Sequence, residues 1–227
     1  MRACFAGVLG VLGVLGVALV AAAPGATVVV EDWSKAEVGA HGIPPGWQGQ
    51  NWGSPKYDFT VVSESPAKVL HLRSAGESST INREVKVDIR QSPILQWRWK
   101  VAVLPKGGDA RRKETEDEAA QLYVTFPRFP QAIRSRMIGY IWDSTAPAGA
   151  IFPSQKVSMV TFVVVRSGDA ELGKWLTETR NVLEDYKRIY GEEPAESVGA
   201  VSISINSQNT HSRAESYFGE ILLLRKP

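Results

Sequence analysis

The feature that most constrains this chain is an alternation of apolar and polar side chains, two residues per repeat, that recurs over most of its length. Successive side chains of an extended strand point to opposite sides, so this pattern describes strands with one face buried and one face wet. Alternating runs bounded by Gly, Pro, Asn and Ser clusters predict strands at 27–33, 57–63, 67–73, 79–87, 94–104, 119–127, 135–143, 158–167, 174–180, 198–206 and 214–224. One helix is predicted at 182–190 (VLEDYKRIY), stopped by Gly191. Many strands with one short helix predict an all-β fold, an antiparallel β-sandwich or jelly roll. No fixed-period repeat or low-complexity linker interrupts residues 27–227, which are read as a single β-sandwich domain.

The alternation can be followed face by face. In 95–103 it sets Leu95, Trp97, Trp99, Val101 and Val103 against Gln96, Arg98, Lys100 and Ala102, and the two tryptophans read as core. In 121–126, Leu122, Val124 and Phe126 look inward and leave Gln121, Tyr123 and Thr125 outside. In 201–206, Val201, Ile203 and Ile205 leave Ser202, Ser204 and Asn206. Arg136, Ile138, Tyr140 and Trp142 share one face of their strand, and Glu215 and Tyr217 share one of theirs. A sheet face carrying Arg98, Gln121, Tyr123, Arg136, Tyr140, Trp142, Asn206, Glu215 and Tyr217 would mix aromatic rings with planar polar groups. Sugars need that mixture: rings stack on the apolar side of a pyranose while planar polar groups bond its hydroxyls. The plainer reading of the same residues is the ordinary wet face of a sandwich.

Composition narrows the function classes. A net charge of +2 lacks the basic excess of a nucleic-acid binder. The one cysteine, Cys4, excludes a disulfide framework and a Cys-rich zinc site. The three histidines, His41, His71 and His211, form no metal-binding pair, and no cofactor or metal is expected. Residues 3–23 carry no charge, follow Arg2 and end in Ala21, Ala22 and Ala23. This predicts a signal peptide over 1–23 with cleavage within 22–26, the alternative being a retained membrane anchor. Cleavage would leave no membrane span and place the remainder in the periplasm or outside the cell.

Several local motifs lead elsewhere. Residues 168–174 (GDAELGK) match part of a phosphate-binding loop, but Trp175 stands where Ser or Thr would hold magnesium. No Gly-x-Ser-x-Gly elbow is present. Glu215 and Asp117 are the candidate acid and base of a polysaccharide-acting enzyme, which needs two carboxyl groups flanking one bond. Asp117, Asn206 and Asn209 offer oxygen atoms of the kind calcium prefers, without the usual acidic spacing. Residues 105–118 read as a solvated loop. Arg128, Arg134 and Arg136 beside Phe129 read either as a solvated loop or as a fork for anionic groups.

Six segments carry a family resemblance: ILQWRWKV (94–101), followed by LPKGGD (104–109), DEAAQLYVTF (117–126), YIW (140–142), WLTETRNVLEDY (175–186) and YFGEI (217–221). Together they resemble a bacterial secreted family, domain of unknown function 3047 (DUF3047). The resemblance implies a secreted sandwich similar to galactose-binding-like or carbohydrate-binding modules, and it implies no reaction. It also draws attention to Arg180, Asn181 and Asp185, read as a structural knot in which Asn181 caps the helix and Arg180 pairs with Asp185. Three functions follow as expectations. The first is a non-catalytic module that binds a glycan or a similar polar ligand. The others are a glycosidase- or lyase-like enzyme and a cell-envelope structural or interaction protein.

Overall fold

The computed structural model describes residues 27–226, so the expected signal peptide and its cleavage window lie outside the described residues. Thirteen strands form two sheets. They are β1 (Val28–Glu31), β2 (Gln48–Gly49), β3 (Asp58–Glu64), β4 (Ala67–Ala75), β5 (Ser78–Val87), β6 (Ile94–Val103) and β7 (Ala120–Phe126). After these come β8 (Arg136–Asp143), β9 (Ile151–Pro153), β10 (Val160–Ser167), β11 (Leu176–Asn181), β12 (Val198–Asn206) and β13 (Arg213–Leu224). One sheet has six strands in the order β11-β6-β13-β4-β3, with β1 also paired to β13. The other has seven, in the order β2-β5-β12-β7-β8-β10-β9. All pairings are antiparallel except β8 with β10. The fold is a β-sandwich. A four-residue helix, α1 (Gln131–Arg134), the predicted α2 (Val182–Tyr190) and a single 3-10 turn at Lys113–Thr115 complete it.

The eleven predicted strands and the helix are all present, while β2, β9 and α1 were not predicted. Each of these is two to four residues long, too short for a period to show.

The core lies between the sheets and is built on aromatic side chains. Trp97 and Trp99 meet edge-on at 5.3 Å, with Tyr140 5.4 Å from Trp97 and Trp142 6.0 Å from Trp99. All four are buried. The interior indoles also place their N–H groups: Trp99 donates to Glu178 Oε1 (3.0 Å), Trp142 to the Gly168 carbonyl (3.0 Å) and Trp33 to the Gly219 carbonyl (2.9 Å). Trp97 is the exception, its Nε1 having no partner among the described residues.

Tyr140 and Trp142 were expected on the ligand-binding face and sit in the core instead. The cause is that β8 is buried on both sides. Ile138, Tyr140 and Trp142 face the main core, while Ile141 on the reverse face packs with Val160, Phe162 and Val164 and with Ala110 and Ala146. A strand covered on both faces loses the alternation that tells inside from outside.

Val103, assigned to the inner face with Trp97 and Trp99, is 38% exposed. Glu215 pairs with Val103 but Ser216 pairs with Val101, so Ala102 is an extra residue in β6. Such a bulge reverses the facing of the residues after it and turns Val103 out beside Glu215.

Helix α2 ties the two sheets together. Asn181 Oδ1 accepts the Glu184 amide at 3.2 Å, and the helix ends at Gly191, whose φ of 72° needs no side chain. Asp185 Oδ2 accepts from the Tyr140 hydroxyl of β8 (2.9 Å) and Arg180 Nε of β11 (3.0 Å), and Oδ1 takes Arg180 Nη2 (2.5 Å). Burial, then the neighbouring Asp185, pushes the Tyr140 phenol well above its ordinary range. This is the expected knot, extended by Tyr140.

Candidate functional site: a polar-aromatic sheet face

The outer face of the six-stranded sheet collects side chains from four of its strands and from the loop before β11. Register sets Lys100 (β6), Tyr217 (β13), His71 (β4) and Thr60 (β3) side by side in one row. Val103, Glu215, Arg73 and Asp58 form the next. The His71 ring lies parallel to Tyr217 at 4.2 Å, with an interplanar angle of 2°. From the opposite side, Lys100 Nζ sits 4.1 Å from the centre of the Tyr217 ring. Both ring faces of Tyr217 are therefore occupied, and it presents its edge.

Trp175 is the aromatic group that lies across this face. A bulge in β13 falls between Phe218 and Ile221. Gly219 within it has no side chain, and a Cβ there would come 3.1 Å from Arg98 Cβ and 3.7 Å from Trp175 Cζ3. The indole thus extends over Gly219, with the Arg98 guanidinium and Lys100 Nζ each 5.1 Å from its ring. Its Nε1 donates to Glu64 Oε2 at 2.6 Å, and Lys100 donates to the other oxygen of the same carboxylate. These two hydrogen bonds hold the Glu64 carboxyl below the usual carboxylate range.

The remaining carboxylates of the face are also engaged. His71 Nε2 lies 2.8 Å from Glu215 Oε1, which also accepts the Tyr217 hydroxyl at 2.9 Å. Burial and then that hydrogen bond push the Tyr217 phenol up to about 12. Arg73 donates to Asp58 at 2.9 Å. Arg98 has no ion-pair partner among the described residues, but its charge and those of Lys100 and Arg73 are balanced by Glu64, Glu215 and Asp58, so the face has little pull on a polyanion. What remains is aromatic area framed by oriented donors and acceptors.

The nine expected binding residues do not share one surface. Arg98, Glu215 and Tyr217 lie on the face just described. Gln121 and Tyr123 are on the outer side of the opposite sheet, where the Tyr123 hydroxyl donates to Gln121 Oε1. Asn206 closes the end of that sheet, its side chain donating to the Glu116 carbonyl at 2.9 Å. Arg136 turns to the Tyr186 hydroxyl (2.8 Å) and Glu192 (2.6 Å). Tyr140 and Trp142 are core. Trp175, His71 and Glu64 of the face were not among the nine, and nor was Lys100, although alternation sets it on the same side of β6 as Arg98. Trp175 and His71 had a legible phase: each alternates with residues that face inward, Leu176 and Glu178 for one, Leu70 and Leu72 for the other.

The carboxylates of the loops are structural. Asp117, fully buried, accepts backbone amides of Asn209 (3.1 Å) and Thr210 (2.6 Å). It shares no open space with Glu215, so the two do not form the acid and base pair considered from sequence. The would-be calcium oxygens are likewise engaged, Asn209 Oδ1 by the Lys156 ammonium. Residues 105–118 are not simply solvated, since Ala110 and Glu116–Glu118 are buried. Arg128 and Arg136 are paired with Glu192, and Arg128 also with Glu196, which leaves no fork of free arginines.

Fold and face together define a β-sandwich with a charge-balanced aromatic surface on one sheet. The chain belongs to the family described as Protein of unknown function (DUF3047), which it matches over residues 45–222, from just before β2 into β13. No curated protein matches it. Among solved structures it is similar to a family 30 carbohydrate binding module, at 10% identity and a TM-score of 0.47, covering 88% of this chain and 99% of that one. It is also similar to the CBM22-1 xylan-binding domain from Paenibacillus barcinonensis Xyn10C, at 11% identity and a TM-score of 0.42, covering 90% of this chain and 99% of that one. A third similarity is to the xylan-binding module CBM15, at 12% identity and a TM-score of 0.39, covering 88% of this chain and 97% of that one.

Proposed function

We propose that the chain is an exported module that binds a neutral glycan on the outer face of the six-stranded sheet and does no chemistry on it. The observation that carries this reading is the Trp175 indole extended over Gly219 and held in place by Glu64, Arg98 and Lys100. A ring pre-set in this way stacks on a pyranose with little loss of freedom. The Tyr217 edge, Glu215 and Arg98 beside it supply hydrogen bonds to hydroxyls. Five of the seven tryptophans are buried, so Trp175 and the 61% exposed Trp52 are the indoles a ligand can reach.

Calorimetric titration against a panel of neutral and anionic glycans tests this. A neutral glycan binds, and Trp175→Ala weakens it about tenfold or more, the equivalent of ~1.4 kcal/mol, while the melting temperature stays near that of the parent. A panel without any binder, or a Trp175→Ala variant with undiminished affinity, overturns it.

A further inference from the structure

The sheet face does not end at its last row. Beyond Val103 it opens into a cavity of about 510 Å³ at the end of β6, bordered by the 168–173 loop. This is the segment whose sequence imitates a phosphate loop. Its Gly173 amide donates to the Val101 carbonyl at 2.8 Å, which fastens the loop to the edge of β6 two residues before Trp175. The cavity and the indole are therefore positioned by one short stretch of chain.

The cavity differs from the face in two respects. Its walls are partly apolar, with Val103, Leu104 and Leu172, where the face is polar. Its charged groups, Asp169 and Lys106, have no ion-pair partner among the described residues, whereas the carboxylates of the face are all engaged. A free carboxylate accepts an N–H or O–H, and a free ammonium donates to a carbonyl or hydroxyl. An anion and a cation lining one cavity disfavour a ligand of either net charge. The volume lies within the range of small-ligand sites and is large enough for a substituted sugar ring.

A group with one donor, one carbonyl acceptor and a methyl satisfies this lining, and an acylamino substituent has all three. Resting on the glycan-binding reading of the face, we infer that the cavity is an end subsite that takes a terminal sugar bearing an acylamino group, while the preceding sugars lie along Trp175. Asp169 receives the amide N–H, Lys106 donates to the carbonyl, and Leu172 and Val103 enclose the methyl.

The test is a calorimetric comparison of chitohexaose, which carries acetamido groups, with cellohexaose, which lacks them, on the full chain. The parent binds chitohexaose about tenfold or more tightly than cellohexaose, as expected when polar groups of a site would otherwise be left unpaired. Leu172→Trp, which sets a bulkier ring where the methyl would rest, brings the two affinities together, and Trp175→Ala weakens both. Should Leu172→Trp fail to fold, Asp169→Asn at the loop surface carries the test, lowering the preference severalfold. Equal affinities in the parent, or a preference that survives these changes, overturn the inference. Binding of other glycans but neither hexaose overturns it and leaves the sheet-face reading standing; no binding of any glycan overturns both.

Discussion

Glu118 stands apart from the other loop carboxylates. It is 1% exposed, and its Oε1 has no hydrogen-bond partner among the described residues. Burial first, then the charges of Asp143, Glu116 and Asp117, push its carboxyl well above the ordinary range. A folded state that holds its proton more tightly than the unfolded chain loses stability as pH rises from the ordinary glutamate range through the raised value. The neutral isostere Glu118→Gln removes that penalty. The variant melts with the parent near about pH 4, where both forms are neutral, and progressively above it as pH rises; a gap that does not widen with pH contradicts this.

Gly139 is a second sensitive position, because a Cβ there would lie 2.8 Å from Tyr123 Cε1 and 2.9 Å from Phe162 Cδ1. Gly139→Ala costs about 1–3 kcal/mol in denaturant unfolding, as ring atoms on neighbouring strands must move. At this scale the sequence was informative about phase and silent about company. It placed Trp97 and Trp99 correctly, but it could not separate Trp142 from Trp175, since an aromatic residue suits a core and a binding surface equally well.

Elements were far more legible than residues, because the period of a strand is written along the strand itself. The cap of α2 was legible for the same local reason, and it makes a local prediction. Asn181→Ala leaves the Glu184 amide unpaired and costs about 1 kcal/mol by thermal or denaturant unfolding. A loss well above that range would mean that the substitution also loosens the Arg180–Asp185–Tyr140 knot. What no single strand records is its neighbour. The bulge at Ala102 exists only in the register of β6 against β13, and it decides that Val103 faces outward. The burial of β8 on both sides likewise depends on loops from elsewhere in the chain. The outer face of the six-stranded sheet was therefore half readable. Arg98, Glu215 and Tyr217 are set by alternation, whereas their separation from Gln121, Tyr123 and Asn206 is set by strand order, which alternation does not contain.

At the scale of the molecule, β13 occupies the middle of its sheet, hydrogen-bonded to β6 on one side and, on the other, to β4 and then, further along its length, to β1. It contributes Phe218, Ile221 and Leu223 to the core and Glu215 and Tyr217 to the face. A chain stopped after Ser212 leaves the edges of β4 and β6 unpaired, and it gives a circular dichroism spectrum without the cooperative thermal transition of the parent. A truncated chain that still melts cooperatively contradicts this. The position of β13 also governs timing. Strands that are distant in sequence must find one another before the sheet closes, so refolding falls in the slow range of all-β proteins, about milliseconds to seconds. Among the described strands, the last in sequence is the one around which three others assemble. Until residues 213–224 have left the ribosome, the six-stranded sheet has no centre and Trp175 has no Gly219 to lie on. Until then the facing edges of β4 and β6 stay open, so the segments before residue 213 cannot close this sheet on their own.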